Sequence, residues 1–265
     1  MGLDLKKMTN SLSSKILPEV KGWWQFKQNT NNPFGDTSGN DNFLIPTGDP
    51  SLISDPSLSG GIKLNGSSQW LGTNKPVLNT EASYTVAAWV RVDSSTMNGN
   101  LTLNLGKFAL TAVSQDSLTH SAFYLGIRQV KEEKSESTLK PSLRWHFTIS
   151  PIDGSQTGPV EWQHAYTKTP LDNSILDKWF LLVGVCDVST RTANIYVPNV
   201  DESGTVHFPN ELIFLRSEGG LQIGRGRWLG RNVDQWPGSV GPVKVFSGVL
   251  TAEEAKKLYT EGKNI

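Results

Sequence analysis

The run Leu221–Tyr259, LQIGRGRWLGRNVDQWPGSVGPVKVFSGVLTAEEAKKLY, carries the pattern that decides the fold. It opens with apolar residues at strand spacing, Leu221 and Ile223. A polar loop of Gly, Arg, Asn, Asp and Trp follows, and a second strand resumes through Val243, Val245 and Phe246. A short helix closes the run. Thr251 and Glu254 stand at capping-box spacing, each side chain set to accept from a backbone N–H of the other. Ala255, Leu258 and Tyr259 fall on one helical face, and Gly262 is placed to stop the helix in the left-handed conformation. Strand, polar loop, strand and capped helix predict an all-β sandwich with one short helix tucked against it.

The rest of the chain agrees with that reading. A chain of 265 residues with 37% hydrophobic content and nine tryptophans can bury a sizeable single core. Lys and Arg number 25 against 25 Asp and Glu, a balance that gives no reason to expect nucleic acid or an anionic membrane surface as partner. The single cysteine, Cys186, excludes an intrachain disulfide and a cysteine-rich metal site. Its setting in FLLVGVCDV predicts an inert buried thiol. No apolar run approaches the roughly 20 residues of a membrane span. Residues 1–20 lack an apolar signal-peptide core and read as a lead-in to one domain, residues 21–265.

In chain order, Gly22–Phe26 reads as the first strand and Gln28–Asn42 as a loop of turn formers. Strands at Gly61–Leu64 and Gln69–Leu71 are expected to form a hairpin across Asn65-Gly66. Tyr84–Val92 alternates, with Tyr84, Val86, Ala88, Val90 and Val92 on one face. Further strands are expected at Leu101–Leu105, Phe108–Val113, Phe123–Arg128 and Leu143–Ile149. The charge run KEEKSESTLK and Ser150–Pro159 read as loops. Trp179–Val188 is apolar on both faces, as a central strand is, and Thr192–Val197 is expected to pair with it.

These motifs resemble the laminin-G-like, concanavalin A-like jelly-roll domains over about residues 21–261. The resemblance rests on GWWQF followed by Asp36-Thr37-Ser38-Gly39-Asn40, and on Gly61–Gly66 and Tyr84–Val92. Trp179–Asp187 with Ala193–Val197, Leu221–Arg225, Trp236–Val240, Val243–Phe246 and Leu250–Glu254 complete it. It implies a concanavalin A-like jelly-roll β-sandwich, but the family has no single function.

Glycoside hydrolysis needs two carboxylates across one sugar. The glucanases that the fold resembles carry them as Glu-x-Asp-x-x-Glu on one strand, and no strand here has that pattern. No Gly-x-Ser-x-Gly elbow accompanies the scattered histidines. His146 and His164 approach each other if Arg144–Ile149 pairs with Val160–Tyr166, as satisfied histidines or as two metal ligands lacking a third. Asp36, Asn40 and Asn42 offer hard oxygens for Ca2+ in a tight loop, where the resemblance also implies calcium, or else they make Asx turns. Where the family often has an acid after its glycine, this chain reads Gly238-Ser239-Val240. Trp228, with Arg225, Arg227, Asn232 and Asp234, forms one candidate sugar-binding set, and Trp162 with Tyr166 forms another. Loop tryptophans serve equally as core lids.

The sequence thus predicts a non-catalytic recognition module, carbohydrate-binding, of a secreted or cell-surface protein. The alternative is a structural or protein-interaction spacer without a sugar site, and a glycan-cleaving enzyme ranks third. The implied partners are a glycan or cell-surface polysaccharide and other domains of a larger polypeptide.

Overall fold

Period-two alternation of apolar side chains lays the chain into two antiparallel sheets stacked face to face. The computed structural model describes residues 18–28, 30–101, 109–130, 142–152 and 160–262. In chain order the strands are β1 (Glu19–Trp24), β2 (Ile45–Thr47), β3 (Ser51–Asp55), β4 (Leu58–Lys63), β5 (Trp70–Gly72) and β6 (Tyr84–Val92). Then come β7 (Ala109–Asp116), β8 (Ser121–Val130), β9 (Ser142–Ile149), β10 (Gln163–Tyr166), β11 (Phe180–Asp187), β12 (Thr192–Val197) and β13 (Glu202–His207). The chain ends with β14 (Leu221–Ile223), β15 (Gly226–Trp228), β16 (Arg231–Val233), β17 (Gly238–Ser247) and the helix α1 (Ala252–Gly262). The first sheet runs β13-β12-β11-β6-β17-β4-β3, with β1 also on β17, and the second runs β10-β9-β8-β7-β14-β5-β2.

The expected face of β6 is the core face. Tyr84, Val86, Ala88, Val90 and Val92 pack against Phe123, Leu125 and Ile127 of β8 and Trp145, Phe147 and Ile149 of β9. The Tyr84 and Phe123 rings lie 5.3 Å apart. Each such side chain removed from water contributes about 1.5–3 kcal/mol. The opposite face of the same sheet is apolar too. Ala87, Trp89, Leu181, Val183 and Val185 meet Ala255, Leu258 and Tyr259 of α1. The capping box forms, with Thr251 N donating to Glu254 Oε2 at 2.7 Å and Glu254 N to Thr251 Oγ1 at 3.2 Å.

Gly262 corrects the expectation of a left-handed stop. It is the last helical residue and is absent from the positive-φ glycines. A Cβ there would lie 2.8 Å from Trp89 Nε1, so the glycine serves close helix–sheet approach instead. The Asn65-Gly66 hairpin is also corrected. Asn65 Oδ1 accepts from Ser67 N and Ser68 N and Gly66 has φ +71°, so the turn chemistry is present. But β4 lies in the first sheet and β5 in the second, so the turn carries the chain across the sandwich.

The pairing of β11 with β12 is as expected. Burial pushes the Cys186 thiol up to about 12, which leaves it protonated and inert. β1 begins at Glu19, three residues before the first strand expected at Gly22. Residues 1–17 of the lead-in, 102–108, KEEKSESTLK and 153–159 lie outside the described residues.

Candidate recognition face

On β8, Phe123, Leu125 and Ile127 point into the core, so Tyr124, Gly126 and Arg128 alternate onto the outer face of the second sheet. Register extends this face across three neighbours. One row reads Ser114, Tyr124, Thr148, His164; the next reads Thr111, Gly126, His146, Tyr166; and Arg128 stands opposite Arg144. The segments FYLGIR and RWHFTI showed this alternation in the sequence, which marks the missed residues Thr111, Gly126, Arg128 and Thr148 as a face rather than a loop.

Gly126 sits at the centre of this face. A Cβ there would lie 2.0 Å from the Leu110 carbonyl oxygen, because β7 bulges toward it between Thr111 and Val113. On either side of this glycine are two fully buried side chains with unmatched polar atoms, Thr111 Oγ1 and His146 Nε2. Trp162 Nε1 is a third. Buried polar groups without partners are rare and costly, about 1–3 kcal/mol each.

The two histidines do meet, through Thr148, whose Oγ1 lies 2.8 Å from both His146 Nδ1 and His164 Nδ1. A hydroxyl gives one proton, so it donates to one ring and accepts from the other, which fixes opposite tautomers on neutral histidines. Burial, then the nearby Arg128 charge, holds His146 well below its ordinary value and lowers His164 to about 3. Tyr166 stacks on His164 at 5.6 Å, and Trp162 lies 5.5 Å from both Tyr124 and His120. The second candidate set, Trp162 and Tyr166, therefore joins one face.

The first set is dispersed. The stretch expected as a loop is the β15–β16 hairpin, with Leu229 and Gly230 both at positive φ as a two-residue turn requires. This hairpin lies on the same sheet. Tyr124 Oη donates to Arg227 O, Ser114 Oγ donates to Arg225 O at 2.9 Å, and a Cβ on Gly226 would strike Tyr124. Arg225 is 6% exposed and paired with buried Asp116 at 2.8 Å, so its guanidinium anchors the hairpin. Arg227 donates to Ser117 O. Asn232 is exposed on β16, and Asp234 takes a left-handed conformation with its carbonyl accepting from Thr111 N. Trp228 is 40% exposed at the tip. Trp236, also placed in the loop by the sequence, is fully buried.

The Asp36 loop is tied to β1. Asp36 Oδ1 accepts from Trp23 N and Ser38 N, and Oδ2 accepts from Asn42 N. Asn40 donates to Val20 O and Asn42 to Lys21 O. A groove of about 600 Å³ elsewhere is lined by Trp145, Trp179, Asp172 and Glu202. Its carboxylates are engaged: Asp172 accepts from Ser174 N, and Glu202 from Lys168 N and the Thr169 hydroxyl.

A family model, the concanavalin A-like lectin/glucanases superfamily of laminin-G type, matches residues 65–256. No curated protein sequence matches the chain. Among solved structures it is similar to domain 4 of AbnA, a GH43 extracellular arabinanase from Geobacillus stearothermophilus in complex with arabinotriose. That match has 16% identity and a TM-score of 0.57, over 91% of this chain and 98% of that one. It is also similar to the botulinum neurotoxin serotype D binding domain, at 14% identity and a TM-score of 0.60 over 92% of this chain. The binding domain of botulinum neurotoxin DC, solved with rat synaptotagmin II, matches at 15% identity and a TM-score of 0.59. The chain spans about half the length of these toxin domains, 52% and 51%. No described helix is long and apolar enough to cross a membrane.

Proposed function

The chain belongs to the concanavalin A-like lectin/glucanase superfamily, and from that premise we propose that it is a non-catalytic module that binds carbohydrate outside the cell. The binding surface is the outer face of the second sheet. The observation that carries this reading is the row through Gly126. At its edge stand the half-buried rings of Trp162 and Tyr166, the latter stacked on His164 at 5.6 Å. Sugars present hydroxyls and apolar ring faces, and this face offers a partner for each. The arabinotriose held by the arabinanase domain makes that trisaccharide a natural first probe. A non-catalytic role is supported by the sequence, in which no strand carries the paired carboxylates that glycoside hydrolysis needs.

The test is calorimetric binding of an oligosaccharide panel, arabinotriose included, to the whole chain. Trp162→Ala weakens binding by about tenfold or more, about 1.4 kcal/mol. A panel without a single binder removes the reading.

A second reading, a protein-interaction or spacer module, draws on a different observation. Trp228, Leu229 and Leu118, at 40%, 60% and 76% exposure, lie on tips joined by the Gly230 N to Thr119 O bond.

Calcium in the Asp36 loop is a proposal of its own. The ligands left to it are Asp36 Oδ2 and the side-chain oxygens of Asn40 and Asn42. Chelator then lowers the melting temperature of a calcium-loaded preparation. Unchanged melting makes the loop a turn scaffold alone.

A further inference from the structure

We propose that one end of the sandwich docks on a phospholipid surface, through the turn between β7 and β8 and the tip of the β15–β16 hairpin. The first turn is Leu118-Thr119, closed by Ser117 N donating to His120 O at 2.7 Å, and the second is Leu229-Gly230. Gly230 N donates to Thr119 O at 2.8 Å, so the two tips stand side by side. Ser150 N donates to Ala122 O and Ile152 N to Ile213 O, which brings Ile152 and Ile213 to the same end of β8. Leu118, Leu229, Ile152 and Ile213 are each more than half exposed, and Trp228 adds its indole. These are five of the eight large apolar side chains exposed among the described residues, so this end is an apolar patch and not a scatter of single residues.

The hairpin register grades this end by depth. Leu229 and Gly230 form the turn, Trp228 stands opposite Arg231 one step back, and Arg227 stands opposite Asn232 a further step back. Leucine foremost, indole behind it and guanidinium alongside is the order that a bilayer imposes, from acyl chains through the interface to phosphate. The segments 117–119 and 227–232 carry two arginines and no acid, which suits phosphate oxygens. The chain as a whole is neutral, so burial of the apolar tips supplies the attraction. The tips are convex and belong to separate turns. A rigid protein partner needs a matching hollow for each, and a fluid bilayer needs none. Leu229 points the same way. It holds φ 49°, a left-handed conformation that bulky residues rarely take and that Asn or Gly adopts at less cost. Its side chain joins neither buried cluster, so packing does not account for leucine there, and burial in lipid offsets the cost.

Co-sedimentation of the whole chain with phosphatidylcholine vesicles tests this. Such vesicles offer neither sugar nor protein, so the outcome is independent of the carbohydrate reading. The expected result is that the chain pellets with the vesicles, and that Leu229→Asn combined with Leu118→Ser lowers its partitioning by about tenfold or more. Both positions are exposed, so the melting temperature of the double variant holds. Leu229→Asn alone leaves it equal or higher, because asparagine suits a left-handed turn position. Binding and stability therefore move apart, which a merely structural tip does not produce. Trp228 gives a second readout. Vesicles with brominated acyl chains quench the tryptophan emission of the bound chain, and Trp228→Phe removes most of that quenching while the chain still pellets. Failure to pellet, pelleting that survives the double variant, or bound chain without quenching overturns the inference. Loss of a protein partner in the double variant, with no vesicle binding by the parent chain, overturns it in favour of protein contact.

Discussion

The two outer faces of the sandwich share one backbone pleat and differ in chemistry. On the first sheet, Ala87, Trp89, Leu181, Val183 and Val185 are apolar, and α1 covers them. On the second, Thr111, Ser114, Tyr124, Arg128, His146, Thr148 and His164 are polar, and the covering hairpin packs on β7 and β8. An apolar face under a helix stabilises the fold and keeps nothing to recognise a ligand with. A polar face can be buried only as far as its donors and acceptors find partners. The apolar face is closed by α1, whereas the polar face is covered in part by the hairpin, whose Gly226 lies over Thr111 and Tyr124.

The largest effect should come from the apolar face. Trp89 is buried, and its ring lies 5.6 Å from Tyr259 of α1. Trp89→Ala is expected to cost about 3–5 kcal/mol in urea unfolding, with sugar affinity unchanged under native conditions. Arg225→Ala, under the hairpin of the polar face, is expected to cost about as much. It leaves the Asp116 carboxylate buried without its guanidinium, and breaking such a pair costs about 3–5 kcal/mol. If Arg225→Ala proves nearly neutral in stability and loses sugar binding, the comparison is broken, because the hairpin would then be ligand surface.

Acid tests the polar face alone. Above about pH 6.5 the histidines are neutral in folded and unfolded chains and contribute nothing to pH dependence. Below it the unfolded chain takes up protons that His146 and His164 refuse while folded. Stability therefore falls as pH drops, by at most about 1.4 kcal/mol per pH unit per histidine, down to about 3 for His164. Urea unfolding at pH 7 and pH 5 should show the fall, and His164→Gln should reduce it. The lowered aspartates titrate below this window, so they do not mimic the effect. Equal stability at the two pH values would mean that the histidines are solvated.

What could be read beforehand follows the same division. β6 and β11 were legible because apolar alternation, or its saturation on both faces, is a local signal. The helix start was legible because a capping box lies within four residues. The β15–β16 hairpin was not. Its turn holds Leu229 at φ 49°, where Asn or Gly is the usual signal, and its strands are fixed by bonds to Ser114, Tyr124 and Thr119 far away in sequence. The Asn65-Gly66 turn was read correctly, but its partners were not, since a turn dipeptide does not say which sheet the next strand joins. Of the site, Trp162 and Tyr166 stood out as aromatics in polar sequence. Arg128 drew no notice, since only register sets it beside Tyr166, His146 and Gly126.

The smallest stability effect belongs to Trp228, and it sharpens the boundary between the covering hairpin and the proposed binding face. Its side chain is 40% exposed at the hairpin tip, next to Leu229 at 60%, and neither belongs to a buried cluster. An exposed residue without buried partners costs little to truncate, so Trp228→Ala should change unfolding stability by less than about 0.5 kcal/mol. Its effect on binding is the informative part. With the receptor face ending at Tyr124 and Trp162, sugar affinity should stay within about twofold, less than 0.5 kcal/mol. A tenfold loss without a stability change would move the site out to the tip, where Arg231 stands opposite Trp228 in the hairpin register. Unchanged sugar affinity with loss of a protein partner would assign the tip, with Leu118 beside it, to protein contact. A stability loss above about 2 kcal/mol would mean that the ring folds back as a lid over the sheet.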